Sequence, residues 1–202
     1  MTIRKGEPWG EATESPGDLR VVATDRAARE WVVAQEGRTL LPVGLGGGDL
    51  AHTLGGGTTG RFPGTVVKAP IDLLRVQADD GRTTVAVAHV IARRSWWRGE
   101  VFFAMNAQYV GEYDVAPRSH PNDGKVDTLR VSADMSWRER LQAKGRARTG
   151  THLPHPKLTA RQSPLAEARF QRPLVVWVDG VRWGTAAGLT ITVEPDALTV
   201  YA

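Results

Sequence analysis

From residue 64 onward the chain is a run of short apolar stretches cut by hairpin turns, and this pattern limits the fold more than any other feature. "TVVKAPIDLLRVQ" (65–77) and "TTVAVAHVIARR" (83–94) flank Asp79-Asp80-Gly81, while "RPLVVWVDGVRWG" (172–184) turns on Asp179-Gly180. Asp and Gly accept the dihedrals of tight turns between antiparallel strands, so each pair marks a hairpin. "KVDTLRVSA" (125–133) and "GLTITVEPDALTVYA" (188–202) supply further alternating runs. The expected fold is mainly β (α+β), with a two-sheet, sandwich-like body.

The beginning of the chain has a different rhythm. "LRVVATD" (19–25) reads as a strand, and Asp25 can cap a helix over "RAAREWVVAQ". "RTLLPV" (38–43) reads as a second strand, followed by "GLGGGDLAHTLGGG" (44–57). This strand–helix–strand piece is too short for a doubly wound domain. The expected division is a reduced α/β segment at 1–63 and a β-rich domain at 64–202. "SWRE" (136–139) is a capping-box pattern that predicts a helix over about 137–148. "GEVFFAMNAQYVG" (99–111) suits a buried strand or a short helix, and "TGTHLPHPKLTARQ" (149–162) reads as loop and strand.

The chain has no cysteine, which excludes disulfides, thiol catalysis and thiolate-bound zinc. No apolar run reaches the ~18 residues of a membrane span, and "MTIRKGEPWGE" lacks the apolar core of a signal peptide. A cytoplasmic protein, at most peripheral at the inner membrane face, is expected. Net charge is +4, unevenly placed: residues 130–172 hold ten basic side chains and three acids. Such a block suits an anionic partner, or simply a solvated face.

Several residues can carry chemistry. Gly44, Gly46, Gly47, Gly48 and Asp49 form a glycine-rich turn whose N–H groups can cradle a phosphate, although a plain turn reads as well. Asp123 and Asp127, four residues apart, suit a hydrated Mg²⁺, or are a turn acid and a strand acid. Arg118 and His120 stand just upstream. Asp179 is either a general base or merely the hairpin acid. His152 and His155 are interrupted by Pro154 and have no evident third ligand. "RRSWWRGE" (93–100) mixes Arg with Trp, as nucleic-acid platforms and membrane-surface patches do.

The order of these motifs resembles the bacterial diacylglycerol kinase and sphingosine kinase-like lipid kinase family, chiefly its C-terminal β-rich domain. "PVGLGGGDLAHTLG" is similar to the family's Pro-Leu-Gly-Thr-Gly-Asn-Asp-x-Ala-Arg loop, and "IDLLRV" (71–76) to its crossing strand. "NAQYVGEYDVAPRSHPNDGKVDTLRV" (106–131) is similar to its Asp-Gly-x-x-Asp stretch. "GTHLPHP" and "VVWVDGVRWG" resemble its basic loop and its Asp-Gly-Glu hairpin, with Val181 in place of the Glu. The likeness covers about residues 38–200. It implies ATP at the glycine loop and Mg²⁺ at Asp123 and Asp127. It also implies a proton-accepting Asp179. Arg118, His120, Arg146, Arg148 and His152 are the candidate anion or headgroup contacts. The family's Gly-Gly-Asp-Gly-Thr segment is not found ahead of the loop. Three functions are therefore open. One is a lipid kinase that phosphorylates a lipid hydroxyl with ATP and Mg²⁺, alone or with a nucleotide site completed by a second subunit; a homo-oligomer is one such arrangement. Another is an inactive relative that binds a lipid, a phosphorylated ligand or an anionic membrane. The third is a nucleic-acid module built on Arg93, Arg94, Trp96 and Trp97.

Overall fold

In the computed structural model, residues 10–56 and 61–202 are described. The signal-peptide reading of the extreme N-terminus falls largely on the first nine residues, outside that set, as does Gly57.

The strands are β1 (Glu11–Glu14), β2 (Val21–Val22), β3 (Val43–Leu45), β4 (Thr65–Ala78), β5 (Thr83–Ala86), β6 (His89–Arg93) and β7 (Val101–Met105). They continue as β8 (Tyr109–Val110), β9 (Tyr113–Asp114), β10 (Val126–Val131), β11 (Leu158–Ser163), β12 (Leu165–Val178) and β13 (Val181–Tyr201). The helices are α1 (Asp25–Val33), α2 (Asp49–Thr53) and α3 (Trp137–Ala147). The fold is mainly β, with a large, predominantly antiparallel sheet.

One hydrogen-bonded path runs β1-β4-β13-β12-β6-β7-β10-β11, with β5 added to β4. The small α/β piece joins the same sheet: β2 pairs with β3, and β3 pairs in parallel with the end of β13, Val43 opposite Val200. The β8–β9 hairpin stands apart from this sheet. Long strands let the sheet bend and face itself. Phe102 of β7 meets Phe170 of β12 at 5.9 Å, although β6 lies between those strands. The register of β12 against β13 breaks between Arg169 and Leu174, where a bend is admitted. The alternating apolar residues of β4, β6, β7, β12 and β13 then close on one another in a principal core that includes Leu74, Val90, Val176 and Ile191. A second core joins α1, β3 and α2 to the other face of β4 through Val43, Leu50, Ile71 and Leu198.

Local expectations and structure differ in instructive places. The run 99–111 resolves as a strand, β7, because all five of its residues are buried between β6 and β10. The run 83–94 is two strands, since Val87 and Ala88 leave the ladder to bond a carboxylate described below. The strand expected at 38–43 begins only at Val43. Helix α1 is capped by Thr24, whose hydroxyl accepts from the Ala27 N–H, and not by Asp25. Helix α3 has the anticipated box: Ser136 Oγ accepts from the Glu139 N–H, and Glu139 Oε2 accepts from the Ser136 N–H at 2.7 Å.

Candidate functional site

Freed from capping its own helix, Asp25 turns to the next one. Its carboxylate accepts the N–H groups of Asp49 at 2.7 Å and Leu50 at 3.1 Å, the first turn of α2. Gly48 has φ +100°, and a Cβ there would stand 2.5 Å from Asp25 Oδ1, so only glycine lets the two turns meet. A Cβ on Gly47 would meet the Ala23 carbonyl at the same distance. Gly44 and Gly46 donate their N–H groups to Arg20 and Val22. Asp49 extends the cluster: one oxygen meets His89 Nε2 at 2.9 Å and the other accepts from the Gly111 N–H at 2.7 Å. Asp179 lies alongside, accepting N–H bonds from Val87, Ala88 and His89 at 2.9 to 3.0 Å.

Burial drives the electrostatics. It raises Asp25 to about 6, against the two N–H bonds that lower it and with Asp179 and Asp49 adding repulsion. It raises Asp179 as well. Burial pulls His89 down, but the bond to Asp49 and the charges of Asp179, Asp49 and Asp25 reverse that, for a net rise. Groups whose folded pKa exceeds the unfolded one stabilise the protein below the unfolded value and lose that contribution as pH rises through the folded value. The Asp25 contribution is therefore complete below about pH 4 and is lost as pH rises to about 6. His89 follows the same direction from pH 6.5 upward. The melting temperature is expected to be higher at pH 5 than at pH 8, and Asp25→Asn is expected to shrink the difference. A melting series in buffers of equal ionic strength checks this; an equal or larger pH difference in the variant would refute it.

The glycine loop leaves a nucleotide phosphate few unengaged N–H donors. The N–H groups of Gly44, Gly46, Asp49 and Leu50 are already bonded within the protein. The carboxylates of Asp25 and Asp49 lie where a polyphosphate would bring more negative charge. Oxygen and nitrogen atoms of Asp25, Asp49 and His89 also lie within 4.8 Å of one another, as in metal sites. Each, however, already has a partner inside the protein.

Asp123 and Asp127 do come together. Gln162 Nε2 donates to both, at 2.9 and 3.1 Å, and Asp123 Oδ1 accepts from the Lys125 N–H. Burial raises both carboxyls, Asp127 to about 6 with the Asp123 charge contributing. Two adjacent carboxylates suit a hydrated Mg²⁺ once the Gln162 amide turns aside. Buried Asp72 positions their turn: it accepts the Gly124 N–H at 2.7 Å and the Asp196 N–H at 2.9 Å. His120 stands beside Asp72, and its pKa is lowered by burial. Arg118 borders a groove shared with Asp127 and His155.

A concave feature with apolar walls lies elsewhere, under α3. A cavity of about 390 Å³ is walled by Val101, Phe103, Leu129, Met135, Ala143 and Leu158, with Trp96, Trp97, Tyr113 and Lys144 also lining it. Its volume falls in the usual ligand range of about 300–1,000 Å³. Arg148 joins Lys144 beside Tyr113, at 5.8 and 5.1 Å from the ring, and pairs with Glu112 at 3.0 Å. His152 forms part of the wall. It is buried, its pKa is lowered by desolvation, and its Nε2 faces the Val115 carbonyl at 3.2 Å, so it supplies no cation. Arg146 is exposed on α3. Gly111 lines the cavity while donating to Asp49, and Tyr109 stacks on His52 of α2 at 3.9 Å. The β8–β9 hairpin thus links the acid cluster to the cavity. Sequence reading missed Asp25, Asp72, His89 and these walls; only the Trp pair and the basic α3 signalled the region.

No protein-family model matches the sequence, and no curated protein does. Among solved structures, two of a "putative diacylglycerol kinase" from Bacillus anthracis share this architecture. Each has a TM-score of 0.64 at 13% identity, over 91% of this chain and 77% of that one. The chain therefore has a diacylglycerol-kinase-like fold, as the order of its motifs implied.

Proposed function

We propose that the protein is a lipid-binding relative of the lipid kinases, one that holds a hydrocarbon chain in the cavity beneath α3 without transferring phosphate. The observation that carries this reading is the cavity itself: about 390 Å³, walled by aliphatic and aromatic side chains, with Lys144 among its lining residues. An apolar chain gains by leaving water there, and the ammonium favours an anionic head. The likeness to diacylglycerol kinase structures supports a lipid as the ligand class. Phosphoryl transfer depends on N–H donors and cations that neutralise the phosphates, and at the glycine loop two donors are engaged by Asp25 and two by the Arg20 and Val22 carbonyls. Asp123 and Asp127 are the pair that would hold Mg²⁺, an ion that supplies charge neutralisation to a phosphate group.

The test is uptake of a fluorescent polyene fatty acid by delipidated protein in vesicle-free solution. Ala143→Phe fills the cavity from the helix side and is expected to weaken uptake about tenfold or more, with melting little changed. Uptake equal in variant and wild type would place the ligand elsewhere. Binding of Mg·ATP that is lost in Asp49→Asn would instead favour the kinase reading.

A further inference from the structure

Four of the large apolar side chains that remain exposed among the described residues gather at one place: Trp96 (41% exposed), Trp97 (47%), Trp137 (58%) and Leu141 (52%). The first two belong to the loop between β6 and β7, and the other two lie one turn apart on the outer face of α3. Arg140 joins the two elements, donating to the carbonyls of Trp96 and Gly99 from within α3. Cations ring the apolar groups. The Arg93 guanidinium is 4.0 Å from the Trp96 ring, that of Arg138 is 5.3 Å from Trp137, and Lys144 Nζ is 5.9 Å from Trp97. Arg94 and Arg98 flank the same loop and, with Arg138, Lys144 and Arg146, have no ion pair among the described residues. The neighbouring acids are engaged: Glu139 with Lys157, Glu112 with Arg148, and Glu100 with Arg130.

From this geometry we infer that the Trp96–Trp97 loop and the outer face of α3 form a docking surface for an anionic lipid bilayer. Tryptophan and leucine on a convex face, ringed by unpaired arginine and lysine, match a membrane interface: the rings enter the headgroup layer while the cations meet lipid phosphates. A nucleic acid would use the arginines but leave Trp137 and Leu141, on a convex helix, with nothing to cover them. The surface also adjoins the cavity, since Trp96, Trp97 and Lys144 line both. A lipid can then pass from bilayer to cavity without crossing bulk water. That last point rests on the lipid-binding reading above; the docking surface itself rests on the exposed residues.

Co-sedimentation tests the inference, using vesicles of phosphatidylcholine alone and of phosphatidylcholine mixed with phosphatidylglycerol. The full chain is expected to sediment with the anionic vesicles, less so in high salt, and little with the neutral ones. The double variant Trp137→Ser/Leu141→Ser, and separately Arg94→Ala/Arg98→Ala, are expected to reduce sedimentation about tenfold. These positions do not line the cavity, so both variants should take up the fluorescent fatty acid in vesicle-free solution as the wild type does, which also shows that they are folded. Wild-type indifference to anionic vesicles, or a double variant that sediments normally, would overturn the inference. Fatty-acid uptake without vesicle binding removes the docking surface alone, whereas vesicle binding without uptake removes the cavity reading and leaves the surface standing. Salt-dependent binding to nucleic acid, with no vesicle binding, would assign the face to a different partner.

Discussion

Asp179→Ala is expected to lower the free energy of unfolding by about 3 kcal/mol, the largest stability effect of any single change at the acid cluster. The carboxylate is 4% exposed and accepts three N–H groups in succession, from Val87, Ala88 and His89. Val87 and Ala88 lie in the break between β5 and β6 and His89 opens β6 with its N–H turned toward Asp179, so these donors lose their acceptor when the carboxylate is removed. An orphaned buried donor costs about 1–3 kcal/mol, and three would exceed the figure given. The wild type, however, already bears the cost of a buried charge, as the raised pKa of Asp179 shows, and that cost disappears with the side chain. Asp179 also has φ +47°, a conformation Asp tolerates better than Ala. Asp179→Asn keeps one carbonyl oxygen for the donors and should fall between wild type and Ala. Denaturant unfolding measures both. A loss below about 1 kcal/mol for Ala would mean that water replaces the carboxylate and the segment is less enclosed than described. These bonds account for Asp179 as a structural acid and occupy three of the carboxylate's roughly four lone-pair positions.

The second large effect belongs to Arg140. Its guanidinium is buried with no carboxylate opposite among the described residues, and it donates to the carbonyls of Met135 and Ser132 at 2.9 Å, Trp96 at 3.3 Å, and Gly99. It is a cation that ties the tryptophan loop to the entry of α3. Arg140→Met keeps volume and apolar contact but removes every donor, and is expected to cost on the order of 2–3 kcal/mol. Because Trp96, Trp97, Met135 and Ala143 line the cavity, fatty-acid uptake should fall about tenfold or more in the same variant. Arg140→Lys retains the charge without the planar fork and should recover part of the stability. Full stability and full uptake in the Met variant would show that the loop and helix hold together without the arginine.

What could be read in the sequence was what neighbouring residues decide. The Ser136–Glu139 box and the Asp-Gly hairpins depend on bonds within a few positions, and all form. The mainly β body followed from alternation alone. Function of side chains across the fold was hidden by distance along the chain. Asp25 looked like a cap for the helix it begins, yet it serves one 24 residues away. Asp179 looked like a turn residue, yet its bonds reach back 90 residues or more and break a strand that alternation drew as continuous. Asp49 and Asp179 belong to one cluster, while Asp123 pairs with Asp127 under Gln162. The cavity was not legible because its walls come from the β6–β7 loop, β7, β8, β9, β10, α3 and β11, and no single segment records it.

The most direct test of a lipid-binding protein without a nucleotide cradle is equilibrium titration of the delipidated chain with monomeric fatty acid, run beside an identical titration with Mg·ATP. Saturable uptake of one fatty acid per chain, lost in Ala143→Phe, with no heat from Mg·ATP, is the predicted result. Saturable Mg·ATP binding with no fatty-acid uptake would contradict it.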